Sequence, residues 1–557
     1  MIRTNTYRSI QRKRLHEVKS MAERIFFNGD IITMEQEEMV EAVLVKDGIF
    51  GKIGTLEEVR KAASEGAIEI DLGGKTMLPA FIDAHSHFTG YAYSLLEVSL
   101  ENTEDFDGIV KAVQTFIEKN QVAPGEWVIA NGYDHNYLKE QAHPTKEVLD
   151  QAAPQNPLVV KHQSGHMGVF NTLGLQALGV TDEITDPQGG KYGREDGRLT
   201  GYAEENAYVP NVRKIPMVTM DKLKDAIQKA QKIYASYGIS TVQEGLFVSQ
   251  LADVVDFCIK GKLLMLDMVG YMDFGDAKEL KERFPECIKA YEKHYKIGGY
   301  KTFLDGSPQG RTAWMLTPYE GQDSEYKGYG TQKDEELKEK IKIPLQENIQ
   351  LLVHCNGDAA SAQYIRVYRR VKEETGCSND IRPVIIHAQL LAKDQLDEVK
   401  ELGMIPSFFV AHVYHWGDIH IKNFGKKRAE QISACNSALK KGIRFTFHQD
   451  SPIIEPNMLE TIWCACRRMT KSGVILGEEE CIPPYEALKA VTIHAAYQYF
   501  EEGIKGSIKE GKHADYIVLD QNPLKVEIDE IKKIQILETV KEGQTIYSIE
   551  KDNVAIH

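Results

Sequence analysis

The short segment PAFIDAHSHF, residues 79–88, places Asp83, His85 and His87 at alternating positions. Because residues two apart on a β-strand point to the same face, an extended conformation would align these three side chains. Imidazole and carboxylate groups suit Zn²⁺ and related divalent ions. A His-x-His pair alone is equally typical of two hydrogen-bonded core histidines, so its interpretation depends on partners elsewhere in the chain.

Polar residues that could be such partners occur near the ends of other strand-like runs. Lys301 lies in GGYKTFLDGS, His354 in LLVHCNGD, His387 in VIIHAQ and Asp450 in FTFHQDSP. Catalytic groups of a barrel gather at the C-terminal ends of several strands. Four histidines, one lysine and one aspartate at equivalent strand ends therefore favour a metal site over unrelated structural residues.

Lys301 is the unusual member of this set, because metal cations repel an ammonium group. Burial and neighbouring positive charge instead favour the neutral amine. A neutral lysine can take up CO₂ and become a carbamate, which is an anionic bridging ligand. The alternative is a salt bridge from Lys301 to Asp305 or to another carboxylate of the barrel.

The elements that would position these residues are eight apolar runs of strand length separated by helical stretches. Several runs are nearly continuous in β-branched and aromatic residues, as strands buried on both faces are. Helical segments such as DKLKDAIQKAQKIYASYG end at glycine. The alternation predicts an α/β fold with a (β/α)8 TIM-like barrel over residues 79–502. A doubly wound sheet is the runner-up, although no glycine-rich phosphate loop follows the early strands.

The regions outside the eight runs predict three further parts. About 150 residues separate the first two strands, which predicts an inserted subdomain at about 89–237 that covers the active site. Residues 21–78 and 503–548 have short β-runs and Gly turns, which predict one small β-sandwich domain built from both termini. The basic residues 1–20 predict a disordered extension, with a targeting segment as the alternative.

Composition limits the classes of partner. The chain has 557 residues, 42% of them hydrophobic and 27% charged, which is typical of globular proteins. A net charge of -15 argues against nucleic acid or an anionic membrane as a general partner. No run approaches the roughly 18 apolar residues that span a bilayer. The eight cysteines lack framework spacing, which predicts free thiols and a cytoplasmic location.

Six motifs in this order resemble the amidohydrolase superfamily of metal-dependent barrel hydrolases. They are LPAFIDAHSH, KTFLDGSPQGRTAWMLTPY, LVHCNGDAA, RPVIIHAQ, HQDSP and GSIKEGKHADYIVLD. GHMGVFNTLGLQALG and GRLTGYAEENA also resemble the insertion of one branch, the amidohydrolase-3 type that includes N-substituted formamide deformylases. The resemblance extends from about residue 21 to residue 547.

The resemblance implies a ligand set for one or two divalent ions, with zinc expected. His85, His87 and Asp450 would hold one ion. A carbamate on Lys301 would bridge to a second ion, and His354 and His387 would hold that second ion. Asp83, one step deeper on the same face, is interpreted as a residue behind the ligands.

The resemblance also implies hydrolysis of a small-molecule amide, such as an N-formyl or N-acyl compound, with Asp450 as the catalytic proton carrier. His135, His166, Arg311 and His448 are candidate substrate contacts. The alternative for His135 and His166, both in the insertion, is a structural role. The alternative for Arg311 is an ion pair that anchors its loop. The alternative for His448 is a position behind the metal ligands. Nucleobase deamination is disfavoured, because HCNGDAA lacks the glutamate that adenosine deaminase-like sites need.

Two further functions stay open at the level of sequence. An enzyme of the same fold could hydrolyse a cyclic amide or an ester, since the metal core would be shared. A non-catalytic barrel homologue with a binding or regulatory role would be expected to have lost ligands, whereas every ligand position here is filled. A homodimer is expected because such barrels often form one.

Overall fold

The computed structural model describes residues 23–36, 39–100, 103–162, 167–216, 218–321 and 325–552. The chain divides into two compact units, one from residues 1–88 and 231–557 and the other from residues 89–230. Helices Phe88–Ser94 and Met220–Ser236 run across the two points at which the chain passes between the units. The predicted extension at residues 1–20 lies outside the described residues.

The first unit contains a sheet of eight parallel strands in chain order. Its strands are β1 (Phe81–Ile82), β2 (Ile239–Phe247), β3 (Asp267–Asp273), β4 (Tyr295–Phe303), β5 (Gln350–Cys355), β6 (Val384–His387), β7 (Ile405–Phe408) and β8 (Thr446–Phe447). The segments after the last and first strands are also hydrogen-bonded. Asp450 N donates to His85 O at 3.3 Å, and His87 N donates to Ser451 O at 2.8 Å.

These eight strands correspond to the eight runs identified in the sequence, and the predicted TIM-like barrel is confirmed. The strands are largely buried on both faces, as the fully buried run Val384–His387 illustrates. Helices follow most of the strands, and in such a barrel they cover the outer face of the sheet. Helices of this unit are Leu56–Ala62, Ala252–Gly261, Ala277–Arg283, Asp334–Glu347, Asp358–Thr375, Leu396–Glu401, His412–Phe424, Lys426–Ala429, Cys435–Lys440, Met458–Arg467, Pro484–Ala490 and Ile493–Gln498. Short 3₁₀ turns occupy Ser249–Leu251, Pro285–Cys287, Glu478–Glu480 and Ile528–Lys533.

A second sheet of this unit combines strands from both ends of the described chain. Its strands are Arg24–Ile32, Met39–Lys46, Ile49–Gly54, Ile68–Asp71, Thr76–Pro79, Tyr516–Leu519, Ile536–Lys541 and Gln544–Ser548. The antiparallel pairing of Thr76–Pro79 with Tyr516–Leu519 joins the two halves. Phe26, Ile31, Tyr516 and Val540 belong to one buried apolar cluster beneath the sheet. Apolar residues near both ends of the chain therefore share a single core.

Residues 89–230 form the second unit around a six-stranded sheet. Its strands are Val98–Ser99, Val128–Tyr133, Leu158–His162, Met167–Phe170, Gly190–Glu195 and Arg198–Glu205. Helices Phe106–Lys119, Lys146–Ala152, Thr172–Ala177 and Val209–Val212 complete it. Ile109 and Val113 of the first helix pack on Val128 and Val160 of the sheet.

Two further predictions concern the whole chain. All eight cysteines are free thiols, as their spacing predicted. Among the helices in the described ranges, none is both long and apolar enough to cross a membrane.

Candidate metal centre

The side chains of His85, His87 and Asp450 converge beyond the ends of β1 and β8. Asp450 Oδ1 lies 3.3 Å from His85 Nε2 and 3.5 Å from His87 Nε2. Strand β1 ends at Ile82, so both histidines lie beyond it and not in the longer strand that the sequence predicted. The backbone hydrogen bonds between this segment and residues 450–451 account for the convergence.

A second pair of imidazoles lies at the ends of β5 and β6. His354 Nδ1 and His387 Nε2 are 3.0 Å apart. His387 Nε2 is also 4.0 Å from Asp450 Oδ2, so the two groups of side chains meet at this carboxylate. The structure thus brings together all five nitrogen and oxygen donors predicted at the strand ends.

Lys301 projects from β4 into the same cluster and is fully buried. Its Nζ lies 3.1 Å from His85 Nε2. Burial lowers the pKa of Lys301 to about 7, although Asp450 acts in the opposite direction. The alternative ion pair with Asp305 does not form in the described part of the chain. Asp305 instead accepts backbone hydrogen bonds from Trp314, Asn356 and Gly357.

Gln243 on β2 fixes the protonation of His85. Its Nε2 donates to Ala84 O and to Tyr499 Oη, both at 2.8 Å, so its Oε1 faces His85 Nδ1 at 2.5 Å. An amide oxygen only accepts hydrogen bonds, so Nδ1 carries the proton and Nε2 presents its lone pair to the cluster. Burial, followed by the charge of Lys301, holds the pKa of His85 well below its usual value and keeps the ring neutral.

The two imidazoles at β5 and β6 are oriented in a similar way. His387 Nδ1 lies 3.1 Å from His448 Nε2, and His448 Nδ1 lies 2.9 Å from Ser407 Oγ. With His387 Nδ1 donating to His448 Nε2 and His448 Nδ1 donating to Ser407 Oγ, this series would leave a lone pair on His387 Nε2. His354 Nε2 lies 3.2 Å from Gly306 O and 3.0 Å from the side-chain amide nitrogen of Asn356, so a hydrogen-bond partner is in place whether or not Nε2 carries the proton, and Nδ1 points into the cluster. Burial and then Lys301 lower the pKa of His354 to about 3.

His87 and Asp450 are the more polar members of the cluster. Burial alone would lower the pKa of His87, but the neighbouring Glu244 side chain and the charge of Asp450 raise it above the usual value. His87 Nδ1 lies 3.8 Å from Glu244 Oε1. Asp450 Oδ1 is buried and has no hydrogen-bond partner among the described residues, and burial raises the pKa of this carboxyl.

The donor set fits a divalent metal ion. Four imidazoles present one nitrogen each to a shared space, and their opposite nitrogens face hydrogen-bonding partners, an arrangement that orients metal ligands in proteins. The buried carboxylate oxygen of Asp450 lacks a proton donor where a cation would satisfy it. Nitrogen and carboxylate oxygen together are typical ligands of zinc and related ions.

Backbone geometry supports this arrangement at three positions. A Cβ on Gly245 would lie 2.5 Å from His85 Cε1, so glycine is needed for the imidazole to pack against β2. His387 and Asp450 have positive φ angles of 72° and 54°. Non-glycine residues rarely adopt such angles, and they persist where surrounding contacts impose them, often at active sites.

The predicted substrate contacts occupy different surroundings. His448 is fully buried behind His387, which matches the position behind the ligands that was its alternative. Arg311 Nε donates to the amide oxygen of Asn423 at 2.8 Å and so anchors its loop. His135 lies in the second unit beside Asp134 and His162. His166 lies outside the described residues.

The sequence did not reveal Gln243, Glu244 and Ser407 as the residues that orient the imidazoles. The sequence QEG at 243–245 did carry a signal, because two adjacent polar side chains are unusual in a buried parallel strand. Asp83 was interpreted correctly as a neighbour of the ligands, since its Oδ1 accepts from His85 N at 3.2 Å. Burial raises the pKa of Asp83 to about 7.

Comparison with known proteins agrees with this geometry. The YtcJ protein of Bacillus subtilis (strain 168) is 27% identical over 94% of this chain and 99% of its own. The N-substituted formamide deformylase of Arthrobacter pascens is 24% identical over 95% of this chain and 98% of its own. An uncharacterized metal-dependent hydrolase from Pyrococcus horikoshii OT3 superposes with a TM-score of 0.74 at 24% identity, covering 91% of this chain and 99% of that one.

The profile of the amidohydrolase family, Amidohydro_3, matches residues 69–547, which is most of the chain. This range includes every strand of the barrel and all of the converging donors. The protein therefore belongs to the amidohydrolase family, and the TIM-like barrel carries a group of side chains suited to the divalent metal of a hydrolase.

Proposed function

We propose that the protein is a metal-dependent hydrolase that cleaves a non-peptide amide-type C–N bond, such as that of an N-formyl or N-acyl compound. The observation that carries the proposal is the convergence of four oriented imidazoles on the carboxylate of Asp450. The relative named N-substituted formamide deformylase supports this class of bond.

The ligand assignment is part of the proposal. His85, His87 and Asp450 would hold one ion, and His354 and His387 a second, with zinc expected. When bound, a divalent ion supplies a Lewis acid that activates water and polarises the substrate carbonyl.

Asp450 is the proposed proton carrier because its carboxylate lies between both histidine pairs and is 15% exposed. As the new C–O bond forms, Asp450 accepts a proton from the attacking water. As the C–N bond breaks, it returns that proton to the departing nitrogen. The overall reaction converts an amide and one water into a carboxylic acid and an amine.

We also propose that Lys301 carries a carbamate. The neutral amine attacks CO₂, a new N–C bond forms, and one proton leaves to solvent. Burial favours the reactive form, because it lowers the pKa of this lysine to about 7. Replacement of Lys301 by Ala is expected to reduce metal content and hydrolysis together, whereas replacement of the exposed Lys61 by Ala should change neither. Unchanged metal content and activity in Lys301→Ala would contradict the bridging role.

The central experiment measures metal and activity in the same preparation. Protein loaded with zinc and bicarbonate is analysed for bound metal and then tested on N-formyl amides, N-acyl amides, cyclic amides and esters. Stoichiometric metal with turnover of open-chain amides would support the proposal. Turnover of only cyclic amides or esters would favour that alternative, and stoichiometric binding without turnover of any of them would favour a binding or regulatory role.

Several predictions from the sequence remain proposals. The domain boundaries are one of them, with the insertion at about 89–237 and a small β-sandwich domain built from both termini. The cytoplasmic location and the homodimer are two others. The expected partner is a small-molecule substrate, and neither nucleic acid nor a membrane is expected as a partner. Roles for His135, His166, Arg311 and His448 in substrate binding belong to the same group.

A further inference from the structure

A second group of metal-capable side chains lies within the unit formed by residues 89–230. The parallel strands Val128–Tyr133 and Leu158–His162 end side by side, because Tyr133 pairs with His162. Asp134 and His135 follow the first strand directly, and His162 is the last residue of the second. This is the same strand-end placement that assembles the candidate metal centre of the barrel.

The three side chains present their donor atoms in a nearly equilateral triangle. His135 Nδ1 lies 3.3 Å from His162 Nε2 and 3.6 Å from Asp134 Oδ1, and the third side, from His162 Nε2 to Asp134 Oδ1, measures 3.4 Å. A tetrahedral zinc ion with ligands at about 2.0–2.1 Å holds neighbouring ligand atoms about 3.3–3.4 Å apart. From this match we propose that Asp134, His135 and His162 bind a divalent metal ion, with zinc the best fit.

The surroundings hold these side chains in place. Asn136 donates from its backbone N and from Nδ2 to Asp134 Oδ1, each at 2.9 Å, which fixes the direction of the carboxylate. The ring of His143 packs on that of His135 with a centroid distance of 4.1 Å. Tyr133 Oη in turn lies 3.0 Å from His143 Nδ1. The donor atoms therefore lie in a supported cluster at the sheet edge.

Exposure of the three side chains is compatible with an ion that enters from solvent and stays. Asp134 and His162 are 11% and 8% exposed, while His135 is 29% exposed. His162 also lines a cavity of about 330 Å³ in this unit. Three protein ligands leave a fourth position for water or a small ligand, as in zinc sites that retain an open position.

A third group within the described residues, Asp267 with His294 and Glu542, shows what distinguishes a metal site from an ionic network. Lys505 and Lys541 already donate to Asp267 there, and their ammonium groups occupy the place of a cation. The Asp134 carboxylate is instead surrounded by two imidazoles and the neutral amide groups of Asn136. This site does not depend on the proposed hydrolysis.

Zinc content of the full-length protein tests the proposal. Wild type, His162→Gln and His513→Gln are loaded with ZnCl₂, dialysed and analysed for bound zinc. His162→Gln is expected to hold about one equivalent less than wild type, because it removes a ligand. His513→Gln is the matched control, since its side chain is 34% exposed and belongs to none of the groups of metal-capable side chains among the residues that the structure describes, and it should retain the wild-type content. Equal zinc in wild type and His162→Gln would overturn the proposal.

A measurement on the wild-type protein decides the matter if His162→Gln does not fold. Crystals soaked in ZnCl₂ are used for an anomalous difference map at the zinc absorption edge. A peak within about 2.3 Å of His135 Nδ1, His162 Nε2 and an oxygen of Asp134 would support the site. A map without a peak at that position would overturn it, whatever the occupancy of the barrel centre.

Discussion

Asp450 combines two tasks that are usually separated, since its carboxylate is both a proposed ligand and the proposed proton carrier. Asp450→Asn keeps the shape and one oxygen donor but removes the base. We expect kcat for amide hydrolysis to fall by about 10²- to 10⁴-fold, the usual contribution of general acid–base catalysis. Steady-state kinetics checks this, with the exposed Asp394→Asn as the control. A loss of less than tenfold in protein with full metal content would contradict the assignment.

Gln243 controls one imidazole through a single hydrogen bond. Gln243→Leu removes the acceptor for His85 Nδ1, so the ring can rotate or protonate its metal-facing nitrogen. Loss of such an orienting partner typically lowers metal affinity by about 10- to 100-fold, and we expect a decrease of that size in a chelator competition assay.

Gln363→Leu is the matched control for this substitution, because Gln363 is equally buried but hydrogen-bonds to Gln332 O and Asp334. It should change stability and leave metal affinity unchanged. Equal affinities in Gln243→Leu and Gln363→Leu would show that Gln243 does not orient a ligand.

At the scale of elements, strand β2 supports the histidine segment through three successive residues, Gln243, Glu244 and Gly245. The glycine matters because a side chain there meets His85 and also Ser86 O, at 2.9 Å. Gly245→Ala should displace His85, lower metal affinity and reduce stability by about 1–3 kcal/mol, the usual effect of overpacking.

Gly503→Ala provides the control for this prediction, since a Cβ at Gly503 meets no atom within 4 Å. Thermal unfolding and metal titration of both variants check the expectation. If Gly245→Ala retained wild-type melting temperature and affinity, β2 would not need close contact with His85.

The sequence revealed the barrel because each strand is a continuous apolar run, such as VII before His387. It also placed all of the converging donors at strand ends. The extent of β1 was not predicted correctly, because PAFIDAH alternates like a strand although its regular pairing stops at Ile82. Gln243 and Ser407 were missed because their role depends on contacts between distant strands. Such contacts follow from register and cannot be derived from local pattern.

At the scale of the whole molecule, a buried ionic network links the barrel to the sheet built from both termini. Asp267 begins β3, and Lys541 ends the terminal strand Ile536–Lys541, with 2.9 Å between Lys541 Nζ and Asp267 Oδ2. Lys505 donates to the same oxygen. Burial alone would raise the pKa of Asp267, but these two lysines outweigh it and hold the pKa well below its usual value.

This network makes stability depend on pH in a defined direction. Because the pKa of Asp267 is depressed in the folded state, its contribution is complete above the unfolded value of about 3.9 and is lost as pH falls through the folded pKa. Asp267→Asn should lower the free energy of unfolding by about 3–5 kcal/mol near neutral pH, since two buried ammonium groups lose their partner. The difference from wild type should shrink as the pH falls below about 4.

Urea denaturation of wild type and Asp267→Asn over a series of pH values measures this difference. Glu57→Gln serves as control, because its ion pair with Lys61 lies on the exposed surface of a helix and should contribute little at any pH. A penalty for Asp267→Asn that stayed constant into the acid range would mean that Asp267 does not titrate with a depressed pKa. The sheet built from both termini would then depend on apolar packing, as in the cluster around Tyr516, and not on this buried charge.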